Sequence, residues 1–310
     1  MKHGKVKNRT IEYGQYLAFR LICFLINLVP LYYMLKVGRF GGRRLFHLLP
    51  KYRKVALENL KFAFPEKSEE EIRSIAIQSF ENIGLFAVEF IRIPKIADRF
   101  PQYVTAQGDE CVYESLKRDG KGVIMIVSHF GNWEWMSVRA AERVRDAGSK
   151  ISAVARDFGN PFLYRYVIEK MRGVSGMKTV NKKGGAREVM NILERNEIVC
   201  VLIDQHERHG SVPVPYFGRE AWTTALPAMM ALKKHATIVP VFAFRGEDGK
   251  PTSMEIRKPF PLIETGNYEE DLVANTAQYI KAIEEVVRTR PGEWLWMHAR
   301  WRSHRLEKVR

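Results

Sequence analysis

His129 and Glu134 stand five positions apart in the segment HFGNWE, directly after an apolar run, VIMIVS, that reads as a buried strand. A histidine beside a carboxylate makes a general base: the carboxylate fixes the imidazole tautomer and stabilises the imidazolium formed when the ring takes a proton. On a continuous helix five residues rotate the chain by about 500° and send the two side chains to different faces. The pair therefore meets only across a turn, and Gly131 permits one. Asn132 suits the N-cap of the helix that follows, and Glu134 then falls in its first turn, where the dipole favours a carboxylate. The spacing predicts His129 as base, Glu134 as its orienting carboxylate and Asn132 among the residues on the substrate side of the turn.

The chain offers this base no nucleophile of its own. There is no serine in a GxSxG context, and Ser128 points to the other side of its strand. HExxH is absent too, and His206 and His209 lack a third ligand at diagnostic spacing, so no metal is expected. Such a pair suits direct transfer: the base deprotonates a substrate hydroxyl, which attacks an activated acyl group. The oxyanion of the intermediate needs donors, for which backbone amides at the helix start and Arg156 are candidates.

The elements that must position these residues alternate from about residue 108. Strands are predicted over 122–129, 151–156, 177–181, 198–204, 237–245 and 253–258. Helices are predicted over 132–147, 160–172, 185–195, 221–234 and 268–290. Runs apolar on both faces and separated by helices specify an α/β fold with a mainly parallel sheet flanked by helices. In such sheets function collects beyond the carboxyl ends of the strands, here His129, Arg156, Asn181-Lys182-Lys183, Asp204-Gln205 and Arg245. Lys182 and Lys183 precede Gly184-Gly185 at a helix start, an arrangement able to hold a phosphate and equally that of a basic surface loop.

The N-terminal part is different in kind. From Tyr16 to Val37 the chain is largely apolar, close to the roughly 20 residues a membrane-crossing helix requires. Arg20, Asn27 and Pro30 interrupt it, so a helix lying in the membrane interface is the competing reading. Lys2, Lys5, Lys7 and Arg9 precede it, and Lys36, Arg39, Arg43 and Arg44 follow, which leaves its orientation open. Two further helices are expected, near 52–64 and from a capping box at Ser68 and Glu71 to a stop at Pro94. The expected organisation is an anchor helix over 1–40, a helical membrane-proximal region over 41–105 and a catalytic α/β domain over 106–310.

With 50 Lys and Arg against 35 Asp and Glu, the formal charge of +15 calls for anionic partners such as a bilayer surface or an acidic protein. Nucleic acid is disfavoured, since the long apolar segment is present and no recognition motif is. The three cysteines, Cys23, Cys111 and Cys200, form neither a disulfide framework nor a CxxC pair.

The motifs together resemble a known family. HFGNWE has the His-x4-Glu form of the glycerolipid acyltransferase superfamily and is similar in detail to the lauroyl/myristoyl group, the late acyltransferases of lipid A biosynthesis. RKVALENLKFAFPEKSEEE (53–71), AVARDFGNP (153–161), LIDQ (202–205), the segment from PYFGREAWTT (215–224) to PVF (240–242), and PGEWLWMHARW (291–301) carry the likeness over most of the chain. The resemblance implies a single membrane helix in the bacterial inner membrane and a catalytic domain on its cytoplasmic side. It implies acyl-acyl carrier protein as co-substrate, no cofactor, and a hydroxyl of a lipid A precursor as acceptor. It assigns His129 as general base with Glu134, Arg156 to the substrate or oxyanion, Asp204 and Gln205 to support of the site, and Phe217, Gly218 and Thr223 to the acceptor side. Glu220 stands where the family commonly has proline, and Lys182 and Lys183 where arginine is more usual, which leaves other membrane glycolipids open as acceptors. A non-enzymatic, basic membrane-binding module explains the charge and the apolar segment but not the polar residues at successive strand ends.

Overall fold

The computed structural model describes residues 9–156, 159–246 and 251–301, so Lys2, Lys5 and Lys7, and Asp157 and Phe158 of the AVARDFGNP motif, lie outside the described residues. The chain begins with α1 (Arg9–Leu28), α2 (Leu31–Leu48), α3 (Pro50–Ala63), α4 (Glu69–Ile96) and the single turn α5 (Phe100–Tyr103). It continues through β1 (Val104–Gln107), α6 (Glu110–Asp119), β2 (Val123–Val127), α7 (Trp133–Asp146), β3 (Ile151–Ala155), α8 (Pro161–Tyr166), β4 (Lys178–Asn181), α9 (Gly185–Glu194) and β5 (Ile198–Leu202). It then runs through β6 (Ser211–Tyr216), β7 (Arg219–Thr224), α10 (Leu226–Lys234), β8 (Thr237–Phe244), β9 (Thr252–Ile256) and α11 (Tyr268–Thr289).

Seven strands form one sheet in the order β1-β9-β8-β2-β5-β3-β4. All six predicted strands are in it. Pairing is parallel except between β8 and β9, whose connection leaves no room for a crossover helix. Strand β2 is central and buried at every position. Ile124 and Ile126 face a core shared with Phe46, Leu60 and Phe80 of the N-terminal helices, while Val123, Met125 and Val127 face α7 through Trp135 and Val138. Burial on both faces is why the strand reads as a continuous apolar run. The expected α/β architecture is therefore present, and the helical region before it shares its core.

Three local differences have physical causes. The apolar stretch over 16–37 is not one helix: Pro30 lacks an N–H and drives its predecessor out of the α region, so the chain breaks between α1 and α2. Residues 219–224 pair with 211–216 as a hairpin, so the helix expected from 221 begins only at Leu226, with proline in its first turn. The helix expected over 160–172 stops after Tyr166 and continues as a π turn and a 3₁₀ turn that carry Arg172.

Helices α1 and α2 leave an unusual surface. Leu17, Leu21, Ile22, Phe24, Leu25 and Leu28 of α1 are half-exposed or more, as are Tyr32, Tyr33, Val37 and Phe40 of α2. Among the described residues beyond the first 52, the exposed large hydrophobics are Leu262 and Tyr268. Among the described residues, Glu69–Tyr103 is the stretch of helix long and apolar enough to cross a membrane by length and composition, and 44% of its apolar window is buried inside the protein.

Candidate active site

Adjacent parallel strands bring their carboxyl ends side by side. Strands β2 and β5 pair with Val127 opposite Leu202, so two residues further on His129 comes level with Asp204. The imidazole Nδ1 lies 2.8 Å from Asp204 Oδ1, and the His129 backbone N–H donates to Asp204 Oδ2, also at 2.8 Å. Trp294 Nε1–H makes a third bond, 2.8 Å to Oδ2. Asp204 is 1% exposed. Burial raises its carboxyl pKa, but the charge and hydrogen bonds of His129, with the Trp294 indole, outweigh that and hold it below the usual carboxylate value. On the other side of the ring, Gln205 Nε2 lies 3.2 Å from His129 Nε2. An Nδ1–H donated to Asp204 leaves the Nε2 lone pair facing the amide of Gln205.

Both ring nitrogens thus have partners, and neither is Glu134. The expected pairing of His129 with Glu134 is corrected: the carboxylate of Glu134 is gripped by Arg172, whose Nε lies 3.0 and 3.2 Å from its two oxygens and whose Nη2 completes a forked ion pair. The turn does form where expected. Gly131 has φ +58°, and a Cβ there would meet the carbonyl oxygen of Ala243 at 1.8 Å. Asn132 caps α7 by accepting from the Trp135 N–H at 3.0 Å. That turn aims Glu134 across the site at Arg172 instead of back at the imidazole. Burial lowers the basicity of Arg172, and Glu134 more than restores it, so the guanidinium stays charged.

A cavity of about 650 Å³ opens at these strand ends. His129, Trp133, Glu134, Arg172 and Gln205 line it, with Lys182 and Arg156 at its exposed rim, whereas Val154, Val212, Leu226, Met229 and Leu272 give it an apolar wall. Lys182 is ion-paired with Glu207, whose carboxyl burial raises and Lys182 lowers, the net being below its ordinary value.

The other expected site residues are elsewhere. Asn132 is fully buried with both ends of its amide used, the oxygen as cap and the nitrogen on Glu89 at 2.8 Å, so it shapes the turn and does not face the cavity. Phe217 and Gly218, with φ of 53° and 76°, are the two-residue turn of the β6–β7 hairpin. Phe217 packs on Phe64 and Trp296. Thr223 is buried and bonded to Ala221 O and Arg300, while its neighbour Thr224 reaches the cavity.

Residues the sequence did not single out, Glu89, Arg172 and Glu293, join Asp204 and Arg245, which it placed at strand ends, in supporting the site. Glu89 of α4 pairs with Arg245 at the end of β8 at 2.6 and 2.7 Å, and its backbone carbonyl accepts from Trp135 Nε1. The Gly131 N–H donates to Glu293 O at 3.0 Å. Arg172 had no signal beyond being a basic residue at the end of a predicted helix. Asp204 had one, its place at the end of the strand that pairs with β2.

Fold and site together define an α/β protein with a carboxylate-bound histidine at the mouth of an apolar-walled cavity. The chain belongs to the bacterial lipid A biosynthesis acyltransferase family, whose sequence model matches residues 1–303. It is similar to the lipid A biosynthesis myristoyltransferase of Escherichia coli (strain K12), 27% identical over 84% of this chain and 77% of that one. The lipid A biosynthesis lauroyltransferase of the same organism is 23% identical over 91% and 89%. A phosphatidylinositol mannoside acyltransferase of Mycolicibacterium smegmatis (strain ATCC 700084 / mc(2)155) is 24% identical over 59% and 57%.

Proposed function

We propose that the protein transfers a fatty acyl chain from an acyl carrier protein thioester to a hydroxyl of a lipid A precursor, with His129 as the general base. The observation that carries this reading is the imidazole itself, locked at Nδ1 by a buried carboxylate and presenting Nε2 to a cavity with an apolar wall. The acceptor hydroxyl replaces Gln205 at Nε2 and gives it the proton, and its oxygen attacks the thioester carbon. The oxyanion that forms needs a fixed cation or N–H donors, and Arg172, half-buried and held by Glu134, is a fixed cation lining the cavity. When the C–S bond breaks, the imidazolium returns the proton to the leaving thiolate. Asp204 keeps the tautomer and stabilises the imidazolium, the role expected of Glu134 from the sequence.

The exposed apolar faces of α1 and α2, flanked by Lys36, Arg39, Arg43 and Arg44, suit a helix pair lying in the headgroup region of an anionic bilayer. On this reading the protein works at the cytoplasmic face of the bacterial inner membrane. The relative that acylates phosphatidylinositol mannoside supports a second acceptor class, a mannosylated phosphatidylinositol.

Mass spectrometry of the products from acyl-acyl carrier protein and each acceptor tests the proposal. A gain of one acyl chain on the lipid A precursor, abolished in His129→Ala, is the expected result. Transfer to the mannosylated lipid alone moves the assignment to that acceptor, and undiminished transfer by His129→Ala contradicts the mechanism.

A further inference from the structure

The C-terminal segment after α11 returns to the site as though it were an extra strand. Trp294 makes an isolated antiparallel bridge with Phe130, the residue after His129, and Glu293 O accepts from the Gly131 N–H. The Trp294 carbonyl accepts from Ser79 Oγ of α4 at 2.6 Å. The indole is 1% exposed, wedged edge-on to Trp296 at 4.6 Å and to Tyr216 at 5.6 Å between ring centroids. It is therefore fixed at the backbone and at the ring, and its N–H ends 2.8 Å from Asp204 Oδ2.

We infer that Trp294 is a positioning residue for the proton transfer at His129, acting through Asp204; this rests on the reading of His129 as the base. With Oδ2 tied to Trp294 Nε1 and to the His129 backbone, Asp204 is left one rotamer, and in it Oδ1 faces Nδ1. The indole also draws charge from the carboxylate, which tempers its pull on the ring proton. Other charged groups face this arrangement. On the buried side Arg300 lies over the Tyr216 ring at 5.4 Å, and across the cavity stand the Glu134–Arg172 and Lys182–Glu207 pairs with Arg156 and His209. Of these side chains only His129 and Trp294 are bonded to Asp204.

Trp294→Phe removes the N–H and keeps most of the ring. In the full-length protein, the imidazole NMR signal of His129, assigned by its loss in His129→Ala, is followed against pH. The titration midpoint moves upward in Trp294→Phe, and kcat falls roughly ten- to a hundredfold with KM unchanged, as for loss of a hydrogen bond to a charged group. Trp296→Phe is the control: its indole donates to Pro291 O in the same cluster, so it lowers Tm and leaves the His129 midpoint in place. If Trp294→Phe fails to fold, benzothienylalanine at position 294 preserves the shape without the N–H. A midpoint unmoved by loss of the Trp294 N–H, or moved equally by Trp296→Phe, overturns the inference. The midpoint does not depend on turnover, so a wild-type protein that transfers no acyl chain refutes the functional reading and leaves this one to be decided by NMR.

Discussion

At the residue scale, two carboxylates have separate partners: Asp204 binds the imidazole of His129, and Glu134 binds Arg172. HFGNWE announces a base, a turn and an acid within six residues, and the turn is where it was expected. What the spacing does not reveal is the direction in which Glu134 leaves the helix, because that is set by Arg172, 38 residues later in the chain. Asp204 was legible as a polar residue ending an apolar strand, but its contact with His129 depends on which strand lies beside β2, and strand order is not encoded locally. Two outcomes follow from the geometry. Because Asp204 is held below its ordinary pKa in the fold, it contributes stability that is complete above the unfolded carboxyl value, about 3.9, and is lost as pH falls through the folded value. Chemical denaturation between pH 7 and pH 3 therefore shows a loss of stability that is smaller in Asp204→Asn. Gly131→Ala places a Cβ against Ala243 O in a left-handed backbone, and it lowers stability by more than about 3 kcal/mol, read from a denaturant midpoint.

At the scale of elements, the inner strands β2, β5 and β8 were readable because burial on both faces leaves almost no polar position to confuse the pattern, whereas the short, partly exposed β1 was not read. Of the helices on the sheet, α7, α9 and α11 were readable from their caps and stripes, α8 and α10 only in part, and α6 was missed. The β6–β7 hairpin was not readable: its Phe217-Gly218 turn puts a bulky residue at positive φ, the opposite of the Asn-Gly or Asp-Gly signal that marks such turns. Nor was the bridge from α4 to the catalytic turn. Glu89 binds Arg245 and Asn132, and the three side chains fasten the start of α7 to α4 and β8. Glu89→Leu takes the carboxylate from a half-buried Arg245, leaving it only its bonds to Asn82, and leaves the Asn132 amide nitrogen unbonded, which costs about 3 kcal/mol in unfolding free energy. Its effect on kcat should exceed its effect on KM, since Glu89 does not line the cavity.

At the scale of the whole molecule, exposed apolar side chains are concentrated on α1 and α2, and His129 sits just beyond the end of β2. The helix break at Pro30 changes what the N-terminal apolar run can do, because α1 and α2 each keep a buried side on the protein and an exposed apolar side outward. Leu21→Glu with Leu25→Glu, both more than half exposed, is expected to weaken sedimentation with anionic vesicles more than tenfold while leaving Tm unchanged, at about 1.5–3 kcal/mol for each apolar side chain withdrawn from lipid. On the proposed mechanism a histidine held by Asp204 does the proton transfer. This is tested most directly by kcat for Asp204→Asn with saturating acyl-acyl carrier protein and acceptor. A fall of about 10²- to 10⁴-fold in a protein that remains folded at the assay pH and temperature is the expected result, since an amide cannot stabilise the imidazolium or hold its tautomer. A folded Asp204→Asn enzyme with near wild-type kcat contradicts it.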